Sequence, residues 1–302
     1  MERTQVIGVD VGGTKILGAL IGPDGTVGPR EQRDTDVSSQ EAVLAGLDAV
    51  VETLRAKHEA AALGFGLPSR IDQRSGRALA SVNIPLECVD FRSRMQERYR
   101  LPVGIDNDAN AAAIGEWKAG AARGARDAVM LTLGTGVGGG LIVDGKPYRG
   151  ATGSGAELGH IVLCRDGHEC GCGGRGHLES YASGRAADRV AREVLGEGSN
   201  ARDLVERGRA GEPEAVEALA EIGRWLGAGI ASLVNVFEPE IVVIGGGFGA
   251  AADLLLVPAR EVLAREGLAP GRDTVRIVQA ELGADAGVIG AGMLGFEALA
   301  EA

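Results

Sequence analysis

The sequence predicts an α/β fold made of two related lobes. Strand patterns alternate with helical ones along the chain. One pattern occurs twice, namely a strand, a Gly-Thr-Gly-type loop and a second strand, and glycine is abundant. Glycine contributes 49 of 302 residues and aromatic residues 3%, so the cores must be aliphatic and many backbone segments must turn tightly or pack closely. We expect a cleft between packed lobes, because no low-complexity linker separates them.

The first lobe is predicted to begin with an antiparallel meander, whose strands are joined by glycine-rich or Pro-Asp-Gly turns. Ser39 is predicted to cap a helix, because apolar residues recur at helical spacing after it. The expected elements are strands 5–10, 16–21 and 26–33, the helix after Ser39, strand 63–67, helix 90–99, strand 102–105 and a helix from Asp108 to about Ala119.

The second lobe repeats the opening of the first. Its expected elements are strands 128–133 and 140–143, an amphipathic helix 212–237, a buried strand 240–244 and a helix 253–266 interrupted by Pro258. A helix 286–300 is expected to close the chain. We assign residues 1–107 together with the C-terminal helix 286–302 to a small lobe, and 108–285 to a large lobe.

Charge and hydropathy exclude several classes of function. The formal net charge is -11, with 31 basic against 42 acidic residues, and no dense basic run could follow a phosphate backbone. The N-terminus lacks a signal-peptide pattern, and no stretch has 18 uninterrupted apolar residues. We therefore expect a cytoplasmic protein that binds neither nucleic acid nor membrane.

Three glycine-rich loops, each after a predicted strand, are candidate phosphate-binding sites. Their bare backbone N–H groups could converge on an anion, Thr14 and Thr135 add hydroxyl groups, and Asp10 could hold a divalent cation. Walker and Rossmann patterns do not fit, and each loop alone is equally consistent with a hairpin turn. The candidate nucleotide-binding residues are Asp10, Gly12, Gly13, Thr14, Lys15, Gly134, Thr135, Gly136, Gly245, Gly246 and Gly247.

Asp108 is the candidate general base. It lies between a predicted strand and a predicted helix, which places a carboxylate at the mouth of a cleft, where it could accept a proton from a hydroxyl group during phosphoryl transfer. The alternative is that Asp108 or Asn107 only caps the helix, a role that both residue types favour.

The segment 160–178 contains a candidate zinc site. Cys170, Cys172, His177 and His160 supply two thiolates and two imidazoles, a ligand set for a closed, structural zinc ion. His168 and Cys164 are rival ligands, and an unmetallated loop is the remaining alternative. Because Glu157 and Glu179 flank this segment, a metal there would hold both carboxylates in place.

Six motifs identify a family resemblance. Three resemble the phosphate-1, phosphate-2 and adenosine motifs of the actin, hexokinase and chaperone superfamily, namely D-V-G-G-T-K at 10–15, L-T-L-G-T-G-V-G-G-G at 131–140 and I-G-G-G-F at 244–248. Three more resemble the signature of the ROK family of sugar kinases and repressors, namely N-D-A-N-A-A at 107–112, G-A-E-L-G-H at 155–160 and C-G-C-G-G-R-G-H-L-E at 170–179.

The ROK resemblance implies a two-lobed actin-like ATPase (ribonuclease H-like) fold with an interdomain cleft. It also implies that ATP with Mg²⁺ phosphorylates glucose to glucose 6-phosphate, with Asp108 as the base, and that the chain forms a dimer or tetramer. The sugar-binding residues it implies are Asn83, Asn107, Asp108, Glu157, His160 and Glu179.

Several alternatives remain open within this resemblance. The acceptor could be N-acetylmannosamine, N-acetylglucosamine or fructose, and the donor could be polyphosphate. A sugar-sensing repressor is less favoured, because the chain begins about four residues before the phosphate-1 strand and is acidic. The chain departs from the family pattern at Ser69, where glycine is usual, and at His177, where cysteine is usual.

Overall fold

The structure is a computed structural model that describes residues 4–81 and 83–302. Its framework is two five-stranded sheets with the same strand arrangement, an antiparallel meander followed by two parallel strands. In order across the sheet, the first contains β3 (Val27–Asp34), β2 (Lys15–Ile21), β1 (Val6–Val11), β4 (Leu63–Leu67) and β7 (Val103–Asn107). The second contains β10 (Lys146–Pro147), β9 (Val137–Val143), β8 (Ala128–Leu133), β11 (Ile241–Gly245) and β12 (Arg276–Gln279).

This matching order confirms the predicted internal repeat and the two-lobed actin-like fold. The helices α1 (Gln40–Arg55) and α2 (Phe91–Tyr99) accompany the first sheet, and β5 (Ser69–Asp72) and β6 (Arg77–Ser81) form a separate hairpin. The helix α3 (Asp108–Ala119) directly follows β7. The remaining helices are α4 (Glu179–Ala182), α5 (Gly184–Leu195), α6 (Ala201–Arg209), α7 (Pro213–Phe237), α8 (Ala252–Glu266), α9 (Gly271–Thr274) and α10 (Ala286–Glu301). Short 3₁₀ helices span Leu158–His160, Phe248–Ala251 and Gly283–Asp285.

Two helices lie between the sheets and join the lobes. The helix α10 packs on the first sheet, whereas α3 packs on the second sheet and on α10. Where they cross, a Cβ atom on Gly290 would lie 1.6 Å from the carbonyl oxygen of Ala111, and one on Gly115 would lie 2.3 Å from that of Ala286. Glycine at both positions therefore lets the two backbones touch. The assignment of 1–107 with 286–302 to one lobe, and of 108–285 to the other, stays a prediction.

The sequence prediction was wrong about Pro258 and incomplete elsewhere. Pro258 lies inside α8 without ending it, buried against Gly223 of α7, so helix packing outweighs the loss of one backbone hydrogen bond. The strand β9 begins at Val137 rather than at Gly140, because its glycines accommodate α3, as at Gly140 against Ala113. The elements β5, β6, α5, α6 and β12 were not predicted.

The capping prediction is confirmed. Ser39 is the N-cap of α1, and its hydroxyl group accepts a hydrogen bond from the backbone N–H of Ala42. Among the helices that the structure describes, none combines the length and apolar composition needed to cross a membrane.

Candidate active site

The carboxyl ends of three adjacent parallel strands bring two acidic side chains together. Asp10 lies near the end of β1, Gly66 is its register partner in β4, and Asp108 directly follows β7. A Cβ atom on Gly66 would lie 3.6 Å from Asp10 Oδ1 and 3.7 Å from the Cα of Asp108. Asp10 and Asp108 thus both lie next to Gly66 at one point of the cleft.

Burial raises the pKa of both carboxyl groups, and the charge of Asp10 adds to the shift at Asp108. Desolvation first, and then the charge of Asp10, raise the pKa of Asp108 to about 7. Desolvation also raises the pKa of Asp10 to about 6, although Lys15 opposes that shift. A carboxylate with a pKa near neutrality is matched to general base catalysis at physiological pH.

Helix capping at this point is performed by Asn107. Its side-chain oxygen accepts hydrogen bonds from the backbone N–H groups of Ala109 and Asn110, at 2.9 and 3.3 Å. Asp108 is the first helical residue, and its Oδ1 also accepts from the N–H of Ala109 at 2.9 Å. The cap is therefore provided without Asp108. The amide nitrogen of Asn107 lies 3.5 Å from the carbonyl oxygen of Ser69, to which it donates.

The first glycine-rich loop is a tight hairpin connection held in place by Thr35. The N–H of Gly12 donates to the carbonyl oxygen of Lys15. The hydroxyl group of Thr35 donates to the carbonyl oxygen of Gly12 at 2.8 Å. Gly13 and Thr14 are exposed. Asn83 is also exposed, and its backbone oxygen would lie 3.6 Å from a Cβ atom on Gly13. The exposed part of the loop thus lies beside a predicted sugar-binding residue.

The second and third glycine-rich loops lie side by side, because β8 and β11 are parallel neighbours. Gly246 has a φ of +85°, and a Cβ atom there would lie 2.5 Å from the carbonyl oxygen of Leu133, so glycine is required. The carbonyl oxygens of Gly134 and Thr135 accept from the N–H groups of Gly184 and Arg185 at the start of α5. These contacts turn the carbonyl groups of the loop toward α5.

The four predicted zinc ligands converge. One ligand atom each from His160, Cys170, Cys172 and His177 lies within 4.8 Å of the others, and Cys172 Sγ is 3.3 Å from His177 Nδ1. A turn with Gly173 at a φ of +90° brings the two cysteines together. Two thiols and two imidazoles at this spacing fit a tetrahedral zinc ion.

The rival ligands lie outside this group. The ring of His168 packs against Tyr181, with centroids 5.2 Å apart, and Cys164 is exposed. Burial, together with the Glu179 carboxylate, raises the pKa of the Cys170 thiol to about 11. Binding of zinc would therefore have to displace this proton.

Both flanking carboxylates contact the cysteine and histidine cluster. Glu179 Oε1 lies 3.4 Å from Cys170 Sγ, while its Oε2 accepts from the N–H of Val137 at 2.8 Å. Glu157 Oε2 lies 3.4 Å from His160 Nδ1. Glu179 therefore links the cluster to the second glycine-rich loop, a contact that the sequence did not indicate.

Ser69, where the family usually has glycine, is buried and belongs to the β5–β6 hairpin. Its hydroxyl group donates to the carbonyl oxygen of Ala80 at 3.0 Å. Sequence reasoning also missed Asp106, a fully buried carboxylate paired with Arg149. The position of Asp106, two residues before the candidate base Asp108, was a sequence signal that this residue could belong to the site. Nothing in the sequence indicated that its partner is Arg149.

Comparison with known proteins shows the family to which the chain is similar. The family model described as ROK family matches residues 6–297. A glucokinase of Streptomyces coelicolor is 36% identical over 310 aligned positions, covering 96% of this chain and 97% of that protein.

Two solved structures are also similar. The crystal structure of a ROK family glucokinase from Streptomyces griseus, in complex with glucose and AMPPNP, has a TM-score of 0.85 and 36% identity, covering 97% of this chain and 99% of that chain. That of a ROK hexokinase from Thermus thermophilus has a TM-score of 0.84 and 35% identity, covering 99% of this chain and all of that chain.

Replacing His177 tests the zinc site. His177→Ala should lose the metal and weaken sugar binding more than nucleotide binding, because Glu157 and Glu179 both contact the cluster. His177→Cys should keep the metal. His168→Ala is the matched control and should bind zinc like the unaltered protein.

Metal analysis and sugar titration provide the measurements. Full metal content in His177→Ala would exclude His177 as a ligand, and metal loss without a change in sugar affinity would disprove the link between the cluster and the sugar site.

Proposed function

We propose that this chain, which belongs to the ROK family, is a glucokinase. It would transfer the terminal phosphoryl group of ATP to the 6-hydroxyl group of glucose. The observation that carries this proposal is the position of Asp108, partly buried beside Asp10 at the cleft, with a pKa raised to about 7. The full-length similarity to glucokinases supports glucose as the acceptor.

Asp108 would accept the proton of the 6-hydroxyl group as its oxygen attacks the terminal phosphorus atom. The new O–P bond forms while the bond from that phosphorus to the bridging oxygen of ATP breaks, and ADP leaves. Burial favours this role, because it keeps the carboxylate a stronger base than an exposed aspartate.

The sugar would be held by side chains from both lobes. The proposed contacts are Asn83, Asn107, Asp108, Glu157, His160 and Glu179. Since His160 also belongs to the metal cluster, one of its ring nitrogens would bind zinc and the other would face Glu157 or the sugar. Amide and carboxylate groups of this kind select a sugar by pairing each hydroxyl group.

The three glycine-rich loops would bind the nucleotide, with Thr14, Lys15 and Thr135 adding side-chain donors. Asp10 would hold Mg²⁺, since carboxylate oxygens are the ligands that this ion prefers. When bound, Mg²⁺ supplies positive charge next to the phosphates. Lys15 already lowers the pKa of Asp10 against the effect of burial. A homo-oligomer in the cytoplasm remains a prediction.

A panel of acceptors tests the proposed reaction. Glucose, fructose, N-acetylglucosamine and N-acetylmannosamine are each assayed with ATP and with polyphosphate, and sugar phosphate is measured. Glucose with ATP should give the highest kcat/KM. A competing sugar preferred by about tenfold or more would overturn glucose as the acceptor, and turnover with polyphosphate alone would overturn ATP as the donor.

Asp108→Asn should remove the base and leave the sugar bound. We expect kcat to fall on the order of 10²-fold or more, because an amide cannot accept the proton. Glucose affinity should change little, since the side chain keeps its size. At pH 8 the variant should unfold at no lower temperature than the parent, because it removes a buried charge.

Near-normal turnover in this folded variant would exclude Asp108 as the base. Asp90→Asn, at the start of α2, provides a control with an exposed aspartate.

A further inference from the structure

One loop of the second lobe crosses to the first. After β10 the chain runs through residues 148–157, and Arg149 reaches the end of β7, where its Nε donates to Asp106 Oδ2 at 2.5 Å. Arg149 Nη2 also lies 3.6 Å from Glu297 Oε2 in α10. The loop that leads to Glu157 is thus tied to the strand that leads to Asp108.

The carboxylate of Asp106 is completely buried and fully engaged. Its Oδ1 accepts from the N–H of Asn107 at 2.8 Å and from the amide group of Asn110 at 3.0 Å, and Oδ2 binds Arg149. A buried carboxylate is strongly unfavourable without a cationic partner. Asp106 therefore depends on Arg149, and the backbone at the candidate base depends on Asp106.

Backbone contacts give the same loop a defined shape. The carbonyl oxygen of Arg149 accepts from the N–H of Gly155 at 2.9 Å, and that of Thr152 accepts from the N–H of Gln73 at 3.3 Å. Gly153 has a φ of +103°, and a Cβ atom there would lie 2.4 Å from the carbonyl oxygen of Ile71. The loop is therefore pressed against the β5–β6 hairpin.

We propose that Arg149 and Asp106 are positioning residues that set the spacing between the two halves of the sugar site, Asn107–Asp108 on one side and Glu157–His160 on the other. The inference rests on the proposed sugar kinase function. Because two carboxylates already neutralise Arg149, its role is to hold the loop rather than to bind phosphate. We call this pair the latch.

Steady-state kinetics test the latch in the full-length protein. Arg149→Met should raise the KM for glucose by at least about tenfold, lower kcat by a smaller factor, and leave the KM for ATP within about twofold. Asp106→Asn should act in the same direction, and the double variant should be no worse than Arg149→Met, because the charge is removed along with its partner.

Arg126→Met is the matched control, since it breaks an exposed ion pair with Asp144 in the turn between β9 and β10. It should leave both KM values unchanged. A lower melting temperature in Arg149→Met with an unchanged KM for glucose would overturn the proposal, because a purely structural pair predicts that result. If Arg149→Met does not fold, Arg149→Lys replaces it, with a smaller rise in KM expected.

Hydrogen exchange tests the latch independently of catalysis. The amides of Gln73 and Gly155 should exchange at least about tenfold faster in Arg149→Met than in the parent, because both bond to the loop that Arg149 holds. Unchanged exchange would overturn the latch. A parent protein without sugar kinase activity would instead overturn the proposed function, and the exchange result would still decide whether Arg149 holds the loop.

Discussion

The two partly buried carboxylates at the cleft, Asp10 and Asp108, are the constraint on which the rest of the structure depends. Each is desolvated, and the charge on Asp10 further raises the pKa of Asp108. The pKa of Asp108 is higher in the fold than its ordinary value of 3.8, so the unfolded chain loses this proton first. Stability of the ligand-free protein therefore falls as pH rises from about 4 to about 7, by roughly 4 kcal/mol for Asp108. The environment that raises the pKa of Asp108 for proton transfer therefore lowers the free energy of unfolding at neutral pH.

The close packing of α3 and α10 compensates for this unfavourable site and determines its geometry. Asp108 begins α3, and Gly287 near the start of α10 lies against Asp10, where a Cβ atom would be 2.5 Å from the carboxyl carbon. Glu116, fully buried in α3, accepts from the backbone N–H groups of Glu281 and Leu282 just before α10. The two helices thus fix Asp108 at the start of α3 and bring the start of α10 against Asp10.

The repeated architecture and the cysteine and histidine cluster could be predicted from local patterns, whereas the contacts between distant residues could not. Strand and loop periodicity indicated the two meanders, and the residue types at 160, 170, 172 and 177 indicated the metal cluster. The helices α5 and α6 are strongly amphipathic and pack against α7, a helical period that the sequence analysis missed. The pairing of Arg149 with Asp106 and of Glu179 with Val137 spans more than forty positions in each case, and no local propensity indicates such contacts.

The most direct test of this account is the titration of the Asp108 carboxyl group in the nucleotide-free protein. Its carboxyl ¹³C resonance, assigned by its absence in Asp108→Asn, is followed from about pH 2.5 to about pH 9. The account predicts a midpoint at about 7 that moves lower in Asp10→Asn, because one of the two causes of the shift is then removed. A midpoint close to the ordinary value of 3.8 would show that the carboxylate is neither desolvated nor repelled, and would contradict the central claim.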